Sequence, residues 1–380
     1  MNLHIPDVRI LEVHPAPWST LRSTCRPSSI LQEWKDLGLP LLLHAVRDAA
    51  DLGYNFLNVS AEEPLRYPGL PALCREAHRH GMLTSMIARS TALTARQLEW
   101  LRFSIDLLGV EIEGKAASRH RRTRSPRARQ SAEQRLAVVR DAGIPFAIVF
   151  SLTAASLAEL EWAAEFAAAQ GASMLHVRPS LELTAEQMAT AWTMVECLRD
   201  PQRGNLAIQL DAVTRYSLLA EPGELASWKQ DLEREARYLG EIVSPLVIED
   251  DGTVTPLRYG FARRFAFGNL HQERLASMTA RWIASQAGAF CQVYGTVLHK
   301  ARTDGRMFED LYQMLAVEAQ PGEMGDSGLP DVALATRGCS AETRLGAPVT
   351  SPAFTGVRPT IQIKKGPVSR PPSDLQVLLD

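Results

Sequence analysis

Leu52-Gly-Tyr-Asn-Phe-Leu-Asn-Val-Ser-Ala-Glu-Glu-Pro-Leu-Arg-Tyr-Pro-Gly-Leu70 is one complete passage from helix to strand to helix. Gly53 stands where a helix stops, a place that takes a left-handed residue and that only glycine fills without a Cβ penalty. Tyr54–Ser60 is a short β-rich apolar run, and Tyr67-Pro-Gly-Leu70 opens the next helix.

The same unit recurs on both sides. Strand-like runs occupy Val8–Val13, Met82–Ala88, Leu107–Ile112, Phe146–Leu152 and Ser173–Pro179, with Gly81, Gly143 and Gly171 at further helix-to-strand junctions. Helix starts fit the capping box at Thr94/Gln97, Ser131/Gln134, Ser156/Glu159 and Thr184/Gln187, a pattern that satisfies two orphan backbone N–H groups reciprocally. Leu41, Ala45, Ala49 and Leu52 put one apolar face of the first long helix against a sheet. Repeated strand–helix units imply right-handed crossovers and an α/β fold on a parallel sheet. Periodicity leaves open whether that sheet is a barrel or doubly wound.

With 380 residues, 46% hydrophobic and 22% charged, the chain has the make-up of a globular protein able to bury a sizeable core. A net charge of −2 gives no reason to expect nucleic acid or an anionic membrane as partner. The N-terminus has no basic segment leading into an apolar run, so a soluble cytoplasmic protein is expected. Five cysteines, no two closer than 48 positions, form neither a disulfide framework nor a local Cys-x-x-Cys site.

After residue 210 the pattern changes. Pro245-Leu-Val-Ile-Glu-Asp-Asp-Gly-Thr-Val-Thr255 predicts a hairpin around an Asp-Gly turn, and helical segments follow near 272–286 and 306–319. The division expected is a barrel-like unit over 1–210, a small α/β extension over 211–319 and a disordered tail over 320–380, where eight Pro and seven Gly fall in 61 residues.

In order and spacing, residues 8–290 resemble the radical S-adenosylmethionine (SAM) superfamily. Ser60-Ala-Glu-Glu-Pro-Leu65 is similar to the family's Ser-Gly-Gly-Glu-Pro-Leu at the end of its second strand. Gly81–Ser85, Ile105–Gly114 and Ala142–Thr153 continue the likeness. Ile248-Glu-Asp-Asp-Gly-Thr-Val-Thr-Pro256 and Phe267-Gly-Asn-Leu270 look like the SPASM/twitch extension of the peptide- and cofactor-maturing branch, which includes the pyrroloquinoline-quinone and mycofactocin maturases. The resemblance implies a partial (β/α)6 TIM-like barrel.

It also implies a site. The family's first strand leads into Cys-x3-Cys-x2-Cys, three thiolates that hold a [4Fe–4S] cluster. Here those positions read Trp18, Arg22 and Cys25. Neither indole nor a protonated guanidinium is a metal ligand, so Cys25 alone is left as metal donor. The resemblance places the cofactor-binding rim at Ser60, Glu62, Glu63, Pro64 and Glu111, with Glu63 matching the glutamate that meets the SAM ammonium. Ala61 and Glu62 replace two glycines that let SAM approach the main chain, and Arg22 is expected to reach Glu62 or Glu63 while Trp18 fills the mouth. Arg119, Arg121, Arg122, Arg124, Arg127 and Arg129 crowd the loop after the fourth strand and suit docking of an acidic peptide or maturase partner.

On this reading the chain carries no cofactor and no [4Fe–4S] cluster, with SAM the one ligand left open. Its expected role is a non-catalytic or altered partner in peptide or cofactor maturation. The alternative is an active SAM-dependent enzyme with an atypical or partner-completed cluster. Hydrolase, P-loop, Rossmann and zincin signatures are absent.

Overall fold

A computed structural model describes residues 2–3, 8–15, 37–61, 64–89, 93–112, 132–180, 182–200, 206–211, 213–214, 239–303, 308–309, 311–320 and 363–364. Seven parallel strands follow one another in space as in sequence: β1 (Ile10–Val13), β2 (Phe56–Val59), β3 (Leu83–Arg89), β4 (Leu107–Ile112), β5 (Phe146–Leu152), β6 (Met174–Pro179) and β7 (Ala207–Leu210). Between them run α1 (Leu39–Asp51), α2 (Leu70–Arg79), α3 (Ala95–Leu101), α4 (Ala132–Asp141), α5 (Leu160–Ala169) and α6 (Ala185–Leu198). The partial barrel expected from the sequence is present, and β7 extends it by one strand that the sequence reading does not pick out.

The hairpin is present as well, as β8 (Leu246–Ile248) and β9 (Thr253–Pro256), and it belongs to the same sheet. β8 pairs parallel with β1, Val247 opposite Glu12, and β9 pairs antiparallel with β8 and with β10 (Gly268–Asn269). The ten-stranded sheet therefore runs β10-β9-β8-β1-β2-β3-β4-β5-β6-β7, open between its two edges. α7 (Leu239–Ile242), α8 (Leu275–Ser285), α9 (Ala287–Thr303) and α10 (Leu311–Glu318) complete the extension. Arg274 and the backbone of Ala276 both bond Asp48, which ties α8 to α1.

Local signals explain most of this. Gly53, Gly81, Gly143 and Gly171 adopt φ of 89°, 74°, 68° and 74°, the left-handed stops required before each strand. Thr184 and Gln187 form the full capping box, and Thr94 accepts from Gln97 N–H. Ser131 lies outside the described residues. Ser156 is no helix cap. Its hydroxyl takes the N–H of Thr153 at 2.9 Å, a local turn that competes with capping, and α5 starts only after a 3-10 turn over Leu157–Glu159. On α1 the buried face is Leu42, Ala45, Val46 and Ala49, while Leu41 packs at its margin.

Of the tail, Gln320 and Ile363–Lys364 are described, the latter pairing antiparallel with Asn2–Leu3. Among the described residues no helix is long and apolar enough to cross a membrane.

Candidate functional site

In a parallel barrel alternate residues face the helices and the lumen. On β3 the helix-facing Thr84, Met86 and Ala88 are buried, whereas the lumen-facing Ser85 and Ile87 are only half-buried. β6 repeats this, with Leu175 and Val177 buried and Met174, His176 and Arg178 half-buried. Barrels of this kind are normally packed solid by bulky branched side chains. This one leaves a cavity of about 70 Å³, open on one side.

Towards the C-terminal ends of the strands the lumen is polar. Glu12 and His14, both fully buried on β1 and just after it, lie with Oε1 and Nε2 2.7 Å apart. The ring of His14 packs 4.9 Å from that of Tyr259, whose hydroxyl donates to Asp250 Oδ1 at 2.6 Å, so the hairpin end backs this corner. Ser85 Oγ donates to Asn58 Oδ1 at 3.0 Å. Opposite, His176 Nε2 is 2.6 Å from Asp211 Oδ1, and Gln209 Nε2 donates to the same oxygen at 3.0 Å. Three acceptors, Glu12 Oε2, Asp211 Oδ2 and Gln209 Oε1, are buried without a hydrogen-bond partner. A buried orphan acceptor is costly unless a donor reaches it, which points to a ligand or water rich in N–H or O–H groups.

The rim expected from the sequence is partly in view. Ser60, half-buried, follows β2 and donates its N–H to Val13 O at 2.9 Å. Pro64 is buried and opens a 3-10 turn over Pro64–Arg66. Glu111 is half-buried on β4, with the Ser151 hydroxyl 3.4 Å from its Oε1. These positions share the C-terminal side of the sheet. Trp18, Arg22, Cys25, Glu62, Glu63 and the six arginines from Arg119 to Arg129 lie outside the described residues, and with them the expected contact of Arg22 and packing of Trp18.

The sequence reading singled out none of Glu12, His14, Asn58, Ser85, His176, Gln209 and Asp211. The available signal was polar residues at period two in otherwise apolar parallel strands, where both faces are normally apolar. The donors of a cluster are not among the described residues: no group of three or more His, Cys, Asp or Glu there is arranged to hold a metal ion. Cys74 is buried on α2, and burial, followed by the Asp106 charge, pushes its thiol up to about 12, far from the thiolate that iron binds.

No family model matches this chain, and no curated protein matches it. Solved structures do. It superposes on anSMEcpe with bound AdoMet with a TM-score of 0.52 at 12% identity, over 82% of this chain and 91% of the other. Streptococcus suis SuiB bound to S-adenosylmethionine gives 0.52 at 13% identity, over 76% and 68%. SuiB bound to the precursor peptide SuiA gives 0.53 at 11% identity, over 75% and 67%. The chain shares the fold of these barrels. At these identities the likeness is one of fold, and it agrees with the resemblance read from the sequence.

One expectation is corrected by it. The radical SAM barrels on which this chain superposes include ones with S-adenosylmethionine bound, and this overturns the expectation of no cofactor. The expectation against a [4Fe–4S] cluster falls with it, because it rested on one loop, at 18–25, and not on the barrel that the fold builds around its cofactor.

Proposed function

We propose that this chain binds S-adenosylmethionine at the C-terminal mouth of its barrel and acts in the modification of a peptide. The observation that carries the reading is the hollow, polar-topped lumen in a barrel that superposes on AdoMet-bound ones. The donor set fits the ligand. SAM brings an ammonium, two ribose hydroxyls and an adenine amine, and the lumen offers the acceptors Glu12 Oε2 and Asp211 Oδ2. Ser60, Pro64 and Glu111 lie where the rim would meet it, and the resemblance adds Glu62 and Glu63. SAM supplies a sulfonium centre whose carbon–sulfur bonds are open to cleavage; the chain's own residues bind and orient it and keep water from it.

SuiB with its precursor peptide supports a peptide as the second partner. The arginines at 119, 121, 122, 124, 127 and 129 would favour an acidic one. Trp18 and Arg22, where the resemblance places two cysteines, favour an altered partner of a peptide-modifying enzyme over independent turnover.

The test is calorimetric titration of SAM into anaerobically prepared, iron-supplemented full-length protein, with iron counted in the same sample. Saturable one-site binding that weakens in Glu63→Gln is the expected result. Absence of binding at about 1 mM SAM, an affinity of only ~4 kcal/mol, would overturn the reading.

A further inference from the structure

Below the polar mouth, the lumen cavity has a character of its own. β3 and β5 present small residues to it, Ser85 and Ala147, where a packed barrel would place branched ones. The space they leave is faced by Phe56 and Met174. At Gly109 the room that a Cβ would take is filled by Ile87 Cγ1 at 2.9 Å and Val149 Cγ2 at 3.3 Å, so the opening lies at Ser85 and Ala147. No Lys, Arg, Asp or Glu lines it. The one titratable side chain on its wall, His176, already lies 2.6 Å from Asp211 Oδ1, so an ion entering would lose its hydration without a free counter-charge, which favours neutral occupants.

One polar feature selects among them. Gln209 Nε2 donates to Asp211 Oδ1, an acceptor-only carboxylate, and this fixes the amide's orientation. Its Oε1 is therefore the end left over, buried and without a donor, on the cavity wall. Aromatic surface suits the thioether and ring that face it. From these observations we infer that the cavity is a subsite for a neutral aromatic group bearing a single N–H or O–H donor, a phenol or an indole, whose donor bonds Gln209 Oε1. This goes beyond the SAM reading and does not rest on it.

The experiment is ligand-observed NMR on the full chain with phenol, indole, benzene and benzoate, repeated on Ala147→Leu, which fills the cavity, and Gln209→Leu, which removes the acceptor. Phenol and indole are expected to bind with Kd on the order of 1 mM and benzoate not to bind. Ala147→Leu should weaken both at least about tenfold. Gln209→Leu should weaken phenol about fivefold and leave benzene unchanged, the signature of one neutral hydrogen bond. N-acetyl-tyrosinamide tells the sources apart: binding like phenol assigns the subsite to a residue of a peptide, and exclusion assigns it to a free small molecule.

Ser85→Val, a second filling variant, answers the question if circular dichroism shows Ala147→Leu unfolded. SAM titrated into the same samples separates the two ideas, because loss of phenol with SAM affinity retained supports the subsite, and a wild type that binds phenol but not SAM leaves it standing while the mouth reading fails. Phenol binding equally tight in wild type and filled variants, or no phenol binding at about 10 mM, overturns the inference.

Discussion

His176 Nε2 and Asp211 Oδ1 lie 2.6 Å apart, joining β6 to the residue that follows β7, and this contact is what gives the added strand a polar anchor inside the barrel. Asp211 Oδ1 accepts from Gln209 Nε2 at 3.0 Å, so the same carboxylate oxygen meets both neighbours at the open edge of the lumen. Asp211→Ala leaves both neighbours facing an empty site and should lower unfolding free energy by about 2 kcal/mol, whereas Asp211→Asn, which keeps an acceptor, should lose less. Urea midpoints at constant m-value check this. Equal midpoints for all three chains would show that the anchor contributes nothing.

Glu76 on α2 supplies a pH dependence. Hydrogen bonds from Arg47 and Arg79 hold its carboxyl down at about 2, from an ordinary value near 4.5. A folded-state value below the unfolded one contributes stability that is complete above about pH 4.5 and is lost as pH falls towards 2. The difference in melting temperature between wild type and Glu76→Gln should therefore be constant above pH 5 and shrink below it. A difference that persists unchanged at about pH 2 would assign the effect to packing instead.

Cys74 makes the opposite case. With its thiol pushed up to about 12 by burial and by Asp106, it stays protonated across the working range, and only the thiolate is a nucleophile. Cys197, on the exposed face of α6, is open to reagent. Iodoacetamide at pH 8 should label Cys197 and spare Cys74 until the chain is unfolded, as peptide mass mapping reads directly. Native labelling of Cys74 would mean that α2 opens readily.

The contrast between Thr184 and Ser156 shows how far the sequence could be read. Both begin a capping-box pattern, but Thr184 itself holds an extended backbone and caps Gln187, whereas Ser156 has Thr153 close enough to form a local turn, and neighbouring hydroxyls decide such cases. Strand order, helix stops and the hairpin were legible because each is written within about ten residues. The lumen was not. Asn58 and His176 stand more than a hundred residues apart along the chain and line one cavity only because the sheet curls, and a four-residue strand such as Ala207–Leu210, with Gln209 turned inward, lacks the apolar run that marks its neighbours. The motif at Ser60–Leu65 pointed to the mouth, but it said nothing of the hollow beneath.

Glu111 offers the most direct probe of the mouth within the described residues. It stands on β4 opposite Arg89 in register, half-buried, on the lumen side of the strand's C-terminal end. The resembled family shows a serine at this position, so the chain has a carboxylate where the resemblance implies a hydroxyl. Ser151 Oγ reaches Glu111 Oε1 at 3.4 Å, beyond the usual range of an O–H···O bond. Two consequences separate binding from structure. If Glu111 accepts from a ribose hydroxyl, Glu111→Ala should weaken SAM about tenfold, the worth of a hydrogen bond to a charged acceptor, and Glu111→Ser should restore most of it by reinstating the hydroxyl. Neither change should move the melting temperature by more than about 2 °C, since a half-buried side chain at a barrel rim carries little of the core. Titration of SAM into the three chains, with melting curves alongside, decides it. Unchanged affinity in Glu111→Ala would remove this residue from the rim, and loss of affinity that Glu111→Ser fails to rescue would assign its effect to the shape of the mouth instead of to a bond with the ligand.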